Sequence, residues 1–175
     1  MKKFLTLALA LVLVLGCVAN ASALTIGFSQ VGQESDWRTA NTDSLRGMAE
    51  KEGWEMIYDD AQQKQENQVK ALRNFITQGV DYILFTGVVT TGWDEVLKEV
   101  NEAEIPLLLI DRMPDCMEEI EYAGAFGGDF IEEGRRMARW TVNYMNTTEE
   151  VNVVILEGTT GAAAATDRTA GINEI

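Results

Sequence analysis

The sequence predicts an α/β fold, a parallel sheet flanked by helices on both faces. Two observations predict it. Apolar runs of four to six residues alternate with longer segments of helical periodicity, the rhythm of successive βαβ units. The plainest of those runs, Leu107-Leu108-Leu109-Ile110, is apolar at every position, as a strand covered on both faces must be.

Taken in order, Thr25 to Ser29 reads as the first strand and Asp36 to Glu52 as the first helix, with Leu45, Met48 and Ala49 on one face. Trp54 to Tyr58 is the second strand and ends at Asp59-Asp60. Gln65 to Gln78 is the second helix, with Val69, Leu72 and Ile76 at helical spacing. Val80 to Phe85 is the third strand. Thr91-Gly92-Trp93-Asp94 reads as a capping box before a third helix whose buried stripe is Trp93, Val96, Leu97 and Val100. Leu107 to Ile110, entered through Pro106, is the fourth strand.

The rhythm then loosens. Asp115 to Glu121 is an acidic loop, and Glu118-Glu119 reads as solvated surface rather than a catalytic carboxylate pair. Tyr122 to Phe126 is a short strand and Gly127-Gly128 a flexible point. Asp129 and Glu132 form a second capping box, opening a helix that runs to about Tyr144 with Ile131, Ala138 and Met145 inside. Asn146 to Glu150 is turn-like. Val151 to Leu156 reads as a further buried strand, followed by the tight turn Gly158-Thr159-Thr160-Gly161 and a small-residue helix to Ile175. A lone βα unit cannot bury its apolar faces, so this strand either joins the first sheet or opens a second domain. The expected division is 1–23 as an export signal, 24–128 as an N-terminal α/β domain, and 129–175 as a crossover helix with the start of a truncated second domain. In that division residues 151–175 pack poorly.

The signal reading rests on Lys2-Lys3, the apolar run Phe4 to Leu15 and the A-x-A site Ala21-Ser22-Ala23. The run is short for a membrane span. Val14-Leu15-Gly16-Cys17 offers a competing lipobox in which Cys17 carries lipid, although Leu15 is large for the position before Gly. Cleavage after Ala23 is favoured, and both readings export the protein to the periplasm or cell envelope.

A net charge of −14 disfavours nucleic acid and anionic membrane surfaces. The chain has no His, which removes the usual general base and the commonest metal ligand. No Ser-His-Asp, Cys-His, HExxH or spaced Cys/His set exists, so neither catalysis, a metal nor a cofactor is expected. Two cysteines make no disulfide framework, and Cys116 is left unpaired. Gly158-Thr159-Thr160-Gly161 lacks the lysine of a phosphate loop.

Asp111-Arg112 follows directly on the fourth strand. The carboxyl ends of parallel strands line the ligand crevice of such sheets. A carboxylate beside a planar fork of donors suits a neutral ligand covered in hydroxyls, while the bland alternative is a solvated strand end. Ser35-Asp36-Trp37-Arg38 starts the first helix at the same crevice. A Trp there is ordinarily core, yet its face can also stack on the C–H face of a sugar. Asp167-Arg168, one turn into the last helix, reads by default as a surface pair.

These residues resemble sugar-binding proteins of ABC transporters in the ribose-binding group, and most closely the galactofuranose-binding members. The matching segments are Ile26 to Gly32, Ser35 with Trp37-Arg38, Asp60 to Gln68, Gly92-Trp93, Asp111-Arg112, Glu133-Gly134, and Gly158 to Gly171 with Asp167-Arg168. The resemblance implies two α/β domains joined by crossing segments, with a monosaccharide in the cleft between them. It implies ligand contacts from Trp37, Arg38, Asp111, Arg112 and Arg168, the last from the second domain, with Asp129 opening a crossing segment. Arg38 stands where ribose-binding members place a second stacking aromatic. The implied protein is a monomer at full length and delivers its sugar to a membrane permease. A sugar sensor serving a chemoreceptor or histidine kinase would use the same site. Two departures stand out. Gly87 replaces a common Pro after the third strand, implying a looser loop, and the sequence stops early in the second domain.

If the signal is read correctly, mass spectrometry of exported protein will show a mature terminus at Leu24 or a lipid-modified Cys17. Folded protein retaining Met1 would contradict both.

Overall fold

The computed structural model describes residues 23–175. Lys2, Lys3, Cys17 and most of the A-x-A site lie outside the described residues. Five strands form one parallel sheet: β1 (Thr25–Gln30), β2 (Glu55–Asp60), β3 (Tyr82–Phe85), β4 (Leu107–Ile110) and β5 (Gly124–Phe126), in the order β2-β1-β3-β4-β5. Five helices accompany them: α1 (Asp36–Glu52), α2 (Gln65–Gln78), α3 (Asp94–Glu102), α4 (Phe130–Met145) and α5 (Ala163–Asn173).

Strand alternation decides which helix each residue of β1 meets. Gln30 points to α1, where its amide donates to Thr42. Ser29 points the other way, to Gln68 of α2. Helices α1 and α2 therefore cover β1 from opposite faces of the sheet. The chain leaves β1 toward β2 and leaves the adjacent β3 toward β4, so the topological switch point, and with it a crevice, lies at the carboxyl ends of β1 and β3. The main core lies on the α2 side. There Leu72 and Phe75 of α2, Ile83 and Phe85 of β3, the stripe Trp93, Val96, Leu97 and Val100, and Leu107 and Leu109 of β4 are all buried. Trp93 packs edge-on against Phe85, with ring centroids 4.9 Å apart.

Several expectations need correction. Val151 to Leu156 is not a strand: residues 151–158 carry no regular structure, and Val154 and Leu156 are 85% and 95% exposed. A strand exists only by pairing, and among the described residues this segment lies beside α4 and α5 but pairs with no strand. Residues 151–175 do not pack poorly throughout, because α5 lies closely against α4. Thr91 does not cap α3; Trp93 occupies the cap position without a side-chain bond, and the acidic first turn Asp94-Glu95 answers the helix dipole instead. Asp129 does cap α4, accepting from the Glu132 N–H at 2.9 Å. The Glu132 carboxylate turns outward to Arg136 and Arg139, whose hydrogen bonds hold it below the usual carboxylate range. Met145 is exposed rather than inside. The turn after β3 is packed rather than loose. A Cβ at Gly87 would stand 2.8 Å from the Val89 carbonyl oxygen, and Trp93 Nε1 donates to that same oxygen.

The α4–α5 contact is a backbone-to-backbone approach. A Cβ at Gly134 would collide with the Arg168 carbonyl oxygen, and one at Gly171 with the Ile131 carbonyl oxygen. Neither collision is with a flexible side chain, so neither can be relieved by a rotamer change. Gly171→Ala should therefore cost about 1–3 kcal/mol through overpacking, read as a lower urea midpoint in the full-length protein.

Candidate functional site

A cleft of about 410 Å³ opens at the carboxyl end of the sheet. Trp37 and Arg38 from α1, Asp111 and Arg112 after β4, and Arg168 from α5 all line it. The structure thus brings together all five residues singled out in the sequence. Glu34, Phe130 and Glu133 also line it and carried no role in the sequence reading.

Arg38 is the buried member, 3% exposed. Ser35 caps α1, accepting from the Arg38 N–H at 3.3 Å, and Arg38 lies on the buried face of the helix with Thr42 and Ala49, toward the sheet. Every edge of its guanidinium is engaged. Nε donates to Glu34 Oε1 at 3.2 Å, Nη1 to Gln30 Oε1 at 3.2 Å, and Nη2 to Asp111 Oδ2 at 2.8 Å. Gln30 is itself fixed, donating to Asn41 and Thr42 and accepting from the Val31 N–H. The Arg38 guanidinium lies 4.8 Å from the centre of the Trp37 ring. Trp37 remains 53% exposed, so the ring presents an open face beside the cleft.

Asp111 turns the chain abruptly out of β4. Its φ is +64°, a left-handed conformation that Asp adopts more readily than most residues. The turn is secured by Asp111 N–H donating to the Phe126 carbonyl at 2.7 Å. The next residue, Arg112, returns over its neighbour: Nε lies 3.8 Å from Asp111 Oδ2 and Nη1 donates to the Val88 carbonyl at 3.4 Å. Nε is buried without a hydrogen-bond partner. Burial, and then the like charge of Arg38, push the Arg112 guanidinium below its ordinary value.

The opposite wall comes from α4 and α5. Arg168 Nε and Nη2 both donate to Glu133 Oε2, at 2.8 and 2.7 Å, and its guanidinium lies 4.7 Å from the Phe130 ring centre. It is therefore part of the cleft rather than a solvated pair with Asp167. The Asp167 carboxyl is pushed up by burial and by Asp115 and Asp129. The start of α5 is tied to the sheet side by Thr90 N–H donating to the Gly161 carbonyl at 3.0 Å.

Chemically, the cleft combines fixed donor forks, carboxylate acceptors and one aromatic face. Among the described residues no group of His, Cys, Asp and Glu could hold a metal ion. Of the residues missed in the sequence, Glu34 carried a signal, being one helical turn before Arg38. Gln30 carried a weaker one, an amide ending an apolar strand. Glu133 carried one only as part of the resembling segment Glu133-Gly134, with no role attached, and Phe130 carried none, since their place depends on how α4 meets α5.

This arrangement, a doubly wound parallel sheet with a polar crevice closed by a following helix pair, defines a ligand-binding α/β class. The family model for the periplasmic binding protein domain matches residues 26–175, and the chain belongs to that family. It is 48% identical to the galactofuranose-binding protein YtfQ of Escherichia coli (strain K12), across 90% of this chain and 49% of that protein. A Mycobacterium smegmatis protein in complex with β-D-fucofuranose superposes with a TM-score of 0.82 at 52% identity, across 87% of this chain and 50% of that one. The binding component of the arabinose ABC transporter from Shewanella sp. ANA-3, bound to α- and β-L-arabinofuranose, gives 0.77 at 43% identity, across 86% of this chain and 49% of that one. The chain spans about half the length of the curated relatives it matches.

Arg38→Ala should strand Asp111 and Glu34 beside Arg112 and cost about 3 kcal/mol or more of stability, measured by urea unfolding of the full-length protein. Arg38→Lys should restore only part of it, because an ammonium cannot reach three acceptors in one plane.

Proposed function

We propose that the full-length protein is an exported solute-binding protein that captures a monosaccharide in this cleft and delivers it to an ABC transporter permease. It is a binder, not an enzyme. The ligand class is a furanose sugar, with galactofuranose first, in keeping with the ligands named for the similar proteins. The observation that carries the reading is charge balance. Three guanidiniums (Arg38, Arg112, Arg168) and three carboxylates (Glu34, Asp111, Glu133) line one cleft in a strongly acidic chain. Such a site gains nothing from a net charge on the ligand and offers many donors and acceptors, which suits a neutral polyol.

In this reading Arg112 and Asp111 bond adjacent hydroxyls, Trp37 covers the C–H face of the ring, and Arg38 holds Asp111 and Trp37 in place while Arg168 reaches from the far wall. The division into a domain of residues 24–128 and a second beginning at 129 places those walls on separate bodies, so a sugar would bridge them. The protein works in the periplasm or cell envelope, as a monomer.

Calorimetry on the full-length protein with D-galactose and L-arabinose, whose solutions contain furanose forms, tests the assignment. Arg112→Ala should weaken binding by about 3 kcal/mol, roughly a hundredfold, through loss of two charged hydrogen bonds. Arg112→Lys should recover little. Affinity within about twofold of wild type for Arg112→Ala would reduce Asp111-Arg112 to a strand-end pair.

A further inference from the structure

Glu133-Gly134 is among the segments in which the sequence resembles sugar-binding proteins, and in this structure both residues act on Arg168. Gly134 admits the Arg168 backbone: its missing Cβ is what lets the Arg168 carbonyl approach α4. Glu133 takes hold of the side chain, one oxygen accepting from both Nε and Nη2 at 2.8 and 2.7 Å. Phe130 supports the guanidinium face from one side. Nε and one Nη2 proton are engaged by Glu133, Nη1 makes a long bond of 3.4 Å to the Ala164 carbonyl, and the residue lines the cleft with donor capacity to spare.

We propose that Glu133 is a positioning residue that holds the Arg168 guanidinium in its ligand-ready orientation before the sugar arrives. The inference rests on the sugar-binding reading of the cleft. Its physical basis is preorganisation. An arginine side chain has several rotors to immobilise, and a contact that fixes them beforehand removes that cost from binding. The pair is a poor source of stability, because both side chains are about 40% exposed, at 40% for Arg168 and 43% for Glu133. Its effect therefore falls on affinity rather than on folding, the reverse of what a structural ion pair does.

The test is a double-mutant cycle in the full-length protein with Glu133→Gln, Arg168→Ala and the double variant. D-galactose and L-arabinose serve as calorimetric probes, and thermal melting is followed in parallel. Glu133→Gln should weaken binding about tenfold with an unchanged melting temperature. The double variant should bind no worse than Arg168→Ala alone, since Glu133 acts only through Arg168. Affinity within about twofold for Glu133→Gln, or losses that multiply in the double variant, would overturn the proposal. A wild-type protein that binds neither sugar would defeat the sugar reading alone. The positioning role is then decided by the Arg168 Nε–H resonance, assigned by its loss in Arg168→Lys. It should be slow to exchange with water in wild type and fast in Glu133→Gln, and equal exchange in the two would overturn the proposal.

Discussion

A guanidinium that is almost wholly buried cannot be left uncompensated, and Arg38 is one. Removing a charge from water costs several kcal/mol unless its hydrogen bonds are remade inside the protein. Here they are remade to three separate parts of the chain: Gln30 at the end of β1, Glu34 before α1, and Asp111 after β4. That requirement fixes where α1 starts relative to the sheet and which way the chain turns as it leaves β4. The left-handed backbone at Asp111 follows from it, since the carboxylate reaches Arg38 from that turn. Arg112 is then directed over Val88, and Trp37 is supported from below.

The second wall obeys a different constraint. Among the described residues no buried charge cluster like that of Arg38 ties α4 and α5 together; partly exposed ion pairs, Glu133–Arg168 and Arg135–Glu174, join them, and their closeness comes from glycines at the two places where one helix backbone meets the other. Close approach carries Arg168 far enough toward the sheet to share a cleft with Arg112. The two walls are thus built by different means, one by buried charge and one by small residues. The charged wall is enclosed at Arg38 and held there by three hydrogen-bonded partners. The other leans on two partly exposed ion pairs and a loop hydrogen bond from Thr90 to Gly161, interactions that contribute little each.

What was legible in the sequence follows from these differences. β1 to β4, α2 and α3 were readable because each carries its own periodicity, and the α3 stripe was right residue by residue; α1 was placed correctly, but it buries Arg38, Thr42 and Ala49 and leaves Met48 of the expected face exposed. Val151 to Leu156 has the composition of a strand, but composition expresses only a capacity to pair, and pairing needs a neighbour. The capping signal at Thr91 failed because the Gln65 amide donates to the Thr91 and Gly92 carbonyls, shaping the turn from outside. Asp111-Arg112 was legible because a charge pair directly after a wholly apolar strand falls where a parallel sheet opens its crevice. Gln30 was not, because an amide at a strand end is ordinary until its partner across the crevice is known. Phe130 and Glu133 were hidden for a deeper reason: their roles are set by a helix crossing about thirty-five residues away in sequence, in line with the Glu133–Arg168 separation of 35.

The balance of charge in the cleft stands out against the chain around it. With 28 acidic and 14 basic residues, an average patch of this surface is acidic, and a cleft with matched charges is a local exception. Each arginine that lines it is paired with a carboxylate that also lines it, Arg38 with Glu34 and Asp111, Arg112 with Asp111, and Arg168 with Glu133. Pairing of this kind cancels the long-range field while keeping the short-range directionality of each donor and acceptor. An anion or cation would meet as much repulsion as attraction there. A neutral ligand loses nothing to the field and can still be read hydroxyl by hydroxyl. In the proposed sugar-binding role, discrimination among sugars becomes a matter of which hydroxyl directions leave no buried donor unmatched, and the Arg112 Nε, buried and without a partner, is the donor most subject to that requirement.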